Sequence, residues 1–523
     1  MIVGSGFGGS VSALRLAERG YRVLVLEKGR RLGPDDFPKS NWNLKRWMWL
    51  PALGFRGLFQ MSFLPHITAL SGVGVGGGSL VYANTLPVPK DDYFEAPSWA
   101  HLADWKSELM PHYRMAEKML GSVANPNITY PDEVLREVAR DIGREAHFEP
   151  TKVAVYFGTP DVEVPDPFFD GQGPSRTGCT QCGACIIGCR HNAKNTLDKN
   201  YLYLAEKKGA VVRADAEVWD IEALEGGGYA VSTKEGARLT GRTTARTTTQ
   251  NLILSGGALG TVTLLLELAR RGCLPKLSKR LGDFVRTNSE VLMGITTRRR
   301  DVRMSEGIAI TSILHTDDHS HLEPVRYPDG SGFFRTMMTA HSPGANVFAR
   351  LLAMTVTLIR HPIASLRAFL VPDWARYTMI LLYMRTLDGY LRMRLGRGWR
   401  TGFARGLTTT RGEGPLPTAA IPDATDLAHR IADKVDGYPT SLITETLLGI
   451  PTTAHILGGC AMGDSAEDGV IDHRHRVFGY DGMFVIDGSA ISANPGVNPS
   501  LSICALAERA MTFIPPKGSA EDS

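Results

Sequence analysis

Apolar positions near the start of the chain switch between two periods. Ile2-Val3 is a short apolar run that stops at Gly4-Ser5-Gly6-Phe7-Gly8-Gly9. Val11, Leu14 and Ala17 then recur at helical spacing up to a stop at Gly20. Residues 21–26 are apolar apart from Arg22, as in a buried strand, and Glu27 closes them. The order predicts strand, glycine-rich turn, helix, strand and acid, one βαβ unit. Residues 251–254 predict another short strand, meeting Ser255-Gly256-Gly257 and then a helix over 261–268. Residues 483–486 are a further short apolar run, ending at Asp487-Gly488. Leu501, Ala505 and Leu506 trace an apolar helix with Pro499 at its first turn. The fold class is therefore α/β, with a Rossmann-type domain contributed by both ends of the chain.

Length changes this picture first, since 523 residues exceed one ordinary domain. Composition is that of a globular protein, 43% hydrophobic and 21% charged. A net charge of +4 with no long Lys/Arg block argues against nucleic-acid binding. No charge-free span predicts a membrane crossing, and no basic-then-apolar leader precedes the first strand, so a cytoplasmic location is expected. That strand begins abruptly at Met1, which suggests native residues before it.

The glycines have separate tasks. Gly4 makes a tight turn, Gly6 admits backbone to a pyrophosphate beside Phe7, and Gly9 lets helix approach strand. Glu27 suits the two ribose hydroxyls of an adenosine, and the helix N-terminus suits its phosphates. The motif signals a dinucleotide without choosing between FAD and NAD. A second glycine-rich run, residues 71–85, contains Gly74, Gly77, Gly78, Ser79 and Asn84 and opens into Leu80-Val81-Tyr82. So few side chains let backbone lie against a flat or charged ligand. Near the C-terminus stand His455-Ile-Leu-Gly-Gly and Asn494-Pro-Gly-Val-Asn498-Pro499-Ser500.

Together these segments resemble the glucose–methanol–choline (GMC) oxidoreductases, and most nearly their cholesterol-oxidase-like branch, in motif order over nearly the whole chain. The resemblance implies FAD, contacted by Gly74, Gly77, Gly78, Ser79 and Asn84 in the second run. It also implies a strand over residues 211–218 whose end, around Val218, contacts adenine, and contacts from Gly256, Asp487-Gly488 (pyrophosphate and ribityl chain) and Asn498-Pro499. It implies an FAD domain interleaved from residues 1–95, 190–295 and 455–523. The substrate domain, on an antiparallel sheet, would take 96–189 and 296–454. His455 is the expected general base, because imidazole titrates near neutrality, and Asn498 the group that orients the substrate oxygen. Ser320-His321-Leu322-Glu323-Pro324-Val325-Arg326 resembles the segment that carries this branch's catalytic carboxylate. Glu323 would then move a proton from C4 to C6 of a sterol; its alternative is a surface acid paired with Arg326.

The expected substrate is a bulky apolar secondary alcohol, a 3β-hydroxysterol, with oxygen or a redox partner as electron acceptor. Aromatic residues between Trp42 and Phe63 fit an apolar ligand. Residues 347–384, with Arg350, Arg360, Arg367 and Arg376, fit core helices or a peripheral membrane contact. Cys179, Cys182, Cys185 and Cys189 follow C-x2-C-x2-C-x3-C within the loop 178–191. An iron–sulfur cluster is one expectation for them, with zinc or disulfides as alternatives. Two rival functions stand beside the sterol reading. One is a long-chain or terpenoid alcohol dehydrogenase that hands electrons to a partner. The other is a flavin/iron–sulfur electron carrier or redox sensor, which would have no need of a base beside the flavin.

Overall fold

The computed structural model describes residues 1–519 apart from 237–240, 343, 345, 361–370, 388 and 399–400. Arg367 therefore lies outside the described residues, as does part of the stretch 347–384.

Five short strands make a parallel sheet in the order Val211–Arg213, Leu24–Leu26, Ile2–Val3, Leu252–Leu254, Met483–Val485. The strand of only two residues is the central one, with Ile2 paired to Val25 on one side and Ile253 on the other. Burial on both faces explains why the other four strands read as apolar runs with no polar alternation, while Val211–Arg213, at the edge, is largely exposed. Phe7–Glu18 packs against Ser500–Thr512, and Trp105–Met119 covers that helix from outside. A Cβ on Gly8 would stand 1.8 Å from the Ile486 carbonyl oxygen, and one on Gly9 2.1 Å from that of Gly4. Only glycine lets the helix come this close to two strands.

Two elements differ from the sequence reading. The strand expected over 211–218 breaks at Asp215, whose φ is +55°. Val211–Arg213 stays in the parallel sheet, and Ala216–Ala223 starts a three-stranded antiparallel meander. The helix expected from 261 begins at Gly257 and runs to Arg271. Its early start has a partner far along the chain. Asp487 accepts from the Gly257 N–H at 2.8 Å and the Thr261 hydroxyl at 2.6 Å.

The second sheet has seven antiparallel strands. Their order is Met338–Ala340, Gly437–Leu442, Val291–Thr297, Thr378–Arg385, Ser320–Val325, Ser312–His315, Phe148–Pro150. Val291–Thr297, which the sequence division cut at 295, lies wholly within it. Its two faces do different work, as period-2 side chains allow. Val291, Met293, Ile295, Met379, Leu381 and Tyr383 pack with Tyr130–Asp141 and Pro422–Lys434 in one apolar cluster. Leu292, Val325, Ile380 and Leu382 point the other way and line a cavity.

A buried ion pair joins the Tyr130–Asp141 helix to this sheet. Asp132 accepts from Arg326 at 3.0 Å, from the Thr129 hydroxyl and N–H, and from the Thr311 and Ser312 hydroxyls. Burial alone would raise the Asp132 pKa; the Arg326 charge and the hydroxyl donors overcome that and hold it below 3.8. Asp132→Asn leaves Arg326 buried without its counter-charge, at an expected cost of about 3 kcal/mol at neutral pH. Because the folded-state pKa is depressed, this contribution is present above the ordinary carboxylate range and fades as pH falls through the folded value. Urea titrations should therefore show the gap between parent and variant narrowing in acid. A gap that does not change with pH would remove the charge from the account.

Candidate active site

A cavity of about 940 Å³ runs from the glycine-rich turn at the N-terminus to the inner face of the antiparallel sheet. That is the upper end of the ~300–1,000 Å³ usual for ligand sites. The parallel-sheet end is walled by backbone from Gly4, Gly6, Gly77, Gly78, Gly256 and Gly488, with Phe7, Glu27, Val218, Asp487 and Pro499 beside them. The far end is apolar, formed by Phe59, Leu70, Tyr327, Phe334, Met338 and the sheet residues Leu292, Val325, Ile380 and Leu382. His455 and Asn498 stand where the two ends meet.

The first end fits a flavin dinucleotide. Phe7–Glu18 and Ser500–Thr512 both start at this wall, and neither has a side chain capping its first turn. Their N–H groups suit the phosphates at one helix and the anionic edge of a reduced flavin at the other. Glu27 is anchored by the Ser5 hydroxyl at 2.8 Å and the Gly29 N–H at 2.8 Å, which fixes its carboxylate at the end of its strand. Asn84 has φ +70°, and neither its Oδ1 nor its Nδ2 finds a partner although both are buried. Asn498 Oδ1 is likewise buried without one. Asn498 lines the cavity, so its orphaned oxygen points to a ligand that satisfies it, whereas Asn84 lies behind the wall between the lining residues Ala83 and Thr85.

Several expected cofactor residues turn out to act on the protein instead. Both oxygens of Asp487 are engaged, one by Gly257 and Thr261 and the other by the Ser489 N–H at 2.8 Å. Its carboxylate caps a helix, so it reaches a pyrophosphate only through backbone. Ser79 donates to the Gly76 carbonyl and accepts from the Leu197 N–H, a brace of the second glycine run. Gly74 (φ +138°) and Gly9 lie behind the cavity wall, where they permit close backbone contact.

The cysteine run also needs correcting. Among the described residues, no group of three or more His, Cys, Asp or Glu is placed to hold a metal ion. Cys179, Cys185 and Cys189 pack with Val153, Val155, Ala193 and Ile308, and Cys182 packs against a separate aromatic cluster. All four are unpaired thiols. Burial pushes the Cys185 thiol up to about 11 and raises the Cys179 thiol as well. The loop is tied to the second glycine run by buried Lys194, whose Nζ donates to the carbonyls of Leu80, Tyr82 and Cys185.

The catalytic candidates converge, with one addition. Asn498 Nδ2 lies 3.4 Å from Glu323 Oε2, and Glu323 is completely buried. Arg326, its expected surface partner, pairs with Asp132 instead. His455 Nδ1 lies 2.6 Å from Glu290 Oε2, and Glu290 Oε1 accepts from the Ala454 N–H at 2.7 Å. A carboxylate at that distance places the proton on Nδ1 and leaves Nε2 free to accept another. Burial pulls the His455 pKa down, but the Glu290 charge and hydrogen bond outweigh it and raise the pKa above 6.5. Glu445, close behind, is pushed up to about 8 by burial and so stays neutral beside Glu290 near pH 7. The sequence hinted at Glu290 only as an acid at the mouth of an apolar strand, far from any motif.

A parallel sheet with a glycine-lined dinucleotide groove, and a buried histidine where that groove opens into an apolar chamber, define an FAD-dependent alcohol oxidoreductase. Comparison with known proteins gives the family. Models described as GMC oxidoreductase match residues 174–273 and 414–507. Another, described as an NAD(P)-binding Rossmann-like domain, matches residues 2–68. A cholesterol oxidase of Acinetobacter baumannii is 44% identical over 531 residues, covering 100% of this chain and 95% of that protein. A cholesterol oxidase of Mycobacterium tuberculosis is 45% identical over 532 residues, with 100% and 92% coverage. The solved structure of pyridoxine 4-oxidase from Mesorbium loti shares the fold at 16% identity, with TM-score 0.62 and 98% of both chains covered. The chain belongs to the GMC oxidoreductase family, in its cholesterol-oxidase-like branch.

The Glu290–His455 contact predicts a pH signature. If neutral His455 takes the hydroxyl proton, kcat/KM rises with pH through the His455 pKa, which Glu290 holds above its ordinary value. Glu290→Gln should move that acid limb to lower pH, and by loosening the ring should slow the alkaline plateau by about 10²-fold. An unmoved limb in the variant would separate Glu290 from the base.

Proposed function

We propose that the enzyme oxidises a 3β-hydroxy-5-ene sterol to the 3-ketone and then isomerises it to the conjugated 4-en-3-one. The observation that carries this reading is the position of Asn498 and the sealed Glu323 carboxylate beside an apolar chamber, with His455 at its entrance. The sterol assignment is supported by the names of the two relatives above. In this reading the FAD-binding domain is assembled from the two ends and a middle segment of the chain, and the chamber belongs to the antiparallel sheet.

Bound FAD supplies the hydride acceptor. Within the chain, His455 Nε2 accepts the hydroxyl proton, helped by Glu290 on the far side of the ring. Asn498 donates to the oxygen as it becomes alkoxide-like. Glu323 then takes a proton from C4 and returns it at C6, a task that requires a carboxylate shielded from water. Oxygen is the acceptor we favour, following the oxidase relatives. A role as an electron carrier leaves the His455–Glu290 pair unexplained. A lipid-surface contact is supported by Phe348, Leu352 and Ile359, which the helix Val347–Arg360 leaves 84%, 67% and 73% exposed.

Glu323→Gln separates the two steps. The variant should still bleach the flavin anaerobically with a 3β-hydroxy-5-ene sterol, while the 5-en-3-one accumulates. Isomerisation should fall by at least about 10²-fold, because an amide keeps the size but not the transferable proton. Ultraviolet absorbance of the conjugated ketone reports the second step directly. Conjugated ketone formed by the variant at the parent rate would take Glu323 out of the chemistry. A parent protein that turns over no sterol would overturn the substrate.

A further inference from the structure

One row of polar side chains crosses an otherwise apolar sheet face. Glu323 and His321 are two residues apart on the strand Ser320–Val325 and so share a face, the face on which Val325 lines the chamber. His321 is paired directly with His315 on the neighbouring strand, which puts His315 on that face too. The separations are regular. His321 Nε2 is 3.6 Å from Glu323 Oε1, the two rings are 5.9 Å apart between centroids, and His315 Nε2 is 3.8 Å from Glu149 Oε1. Exposure rises along the row: the Glu323 and His321 side chains are buried, His315 is 24% exposed and Glu149 66% exposed. Three atoms in it, Glu323 Oε1, His321 Nε2 and His315 Nδ1, are buried without a hydrogen-bond partner.

Consecutive orphans at these spacings are unusual in a packed sheet: the 3.6 Å gap between His321 and Glu323 closes to a direct hydrogen bond with a small side-chain shift, and a single water can bridge the wider separation of the two rings. From this geometry we infer that Glu323, His321 and His315 form a proton conduit from the active site to solvent at Glu149. The inference rests on the reading of Glu323 and the alcohol given above. It also answers a need of that chemistry. Alcohol plus oxidised cofactor gives ketone, reduced cofactor and one proton, and a bulky apolar substrate plugs the chamber through which that proton would otherwise leave. The proton passes from the hydroxyl to the His455–Glu323 site. It then enters one nitrogen of each imidazole in turn while the other nitrogen releases one, so each ring ends neutral.

The surroundings favour transit over trapping. Burial, then the neighbouring His321, Lys90, His147 and Arg144, lower the His315 pKa to about 4. Lys90 is held by the carbonyls of Asp317 and Asp318, and Arg144 by the His315 carbonyl and the Asp318 carboxylate. On the inner side, Arg385 stands opposite Ser320, and Asp132 is committed to Arg326. Neither histidine touches the cavity lining.

The test is anaerobic rapid mixing of the holoenzyme with a 3β-hydroxy-5-ene sterol in weak buffer, following flavin bleaching and a pH-indicator dye together. In the parent, dye and flavin should change at the same rate. In His315→Ala, bleaching should stay within about threefold while proton release lags by about tenfold or more, and added imidazole should restore it. His321→Phe should show the lag without the rescue. Synchronous traces in both variants would overturn the conduit, as would a lag that imidazole leaves untouched in His315→Ala. If no sterol bleaches the parent flavin, the substrate reading fails by itself, and an experimental density map decides the conduit. Water within hydrogen-bonding reach of both rings supports it, and an apolar side chain between them overturns it.

Discussion

The proposed catalytic centre depends on one short contact, His455 Nδ1 to Glu290 Oε2. The histidine belongs to the C-terminal segment that returns to the parallel sheet, and the glutamate to the first residue before a central strand of the antiparallel sheet. The hydrogen bond therefore sets a ring angle and also holds two separately built layers in register at the reacting position. Glu290 takes a second hydrogen bond from the Ala454 N–H, so the backbone carrying the histidine is fixed along with its ring. A buried carboxylate bonded on both oxygens in this way has little freedom to turn, and the base inherits that rigidity.

The dinucleotide half was legible because its chemistry is written in contiguous residues. Gly4 to Glu27 fold on themselves, and Gly4, Gly8 and Gly9 each admit a backbone contact that a Cβ would block. The antiparallel sheet could not be read in the same way, since its strands pair across hundreds of residues, as Phe148–Pro150 does with Ser312–His315. Resemblance implied only that such a sheet exists, and its strand order came from the structure. Glu290 escaped notice for the same reason. An acid before an apolar strand looks like any strand boundary until a histidine from residue 455 arrives beside it. Asp487 carries a second role that its motif did not show: besides lining the cavity, it caps a helix that starts four residues earlier than its apolar spacing suggested.

The cysteine run teaches a related lesson. Its spacing is that of a cluster-binding loop, yet spacing states only what a loop could reach if it wrapped around an ion. Here the four thiols line one small closed space and pack against apolar neighbours, and Lys194 binds the loop to the second glycine run. Glycine-rich backbone has little side-chain packing of its own, and a buried ammonium donating to the Leu80 and Tyr82 carbonyls holds its exit in place.

The two faces of the seven-stranded sheet carry a consequence for how such an enzyme changes over time. On one face Met293, Leu381 and Tyr383 are locked against two helices, so replacements there are felt as lost folding energy. On the other, Leu292, Ile380 and Leu382 alternate with them along the same strands, line the chamber and pack among its aromatic residues. Selection on the shape of the alcohol and selection on the integrity of the fold thus act on neighbouring residues with little interference. A lineage can trade one apolar substrate for another at every second position of a strand while its scaffold stays intact.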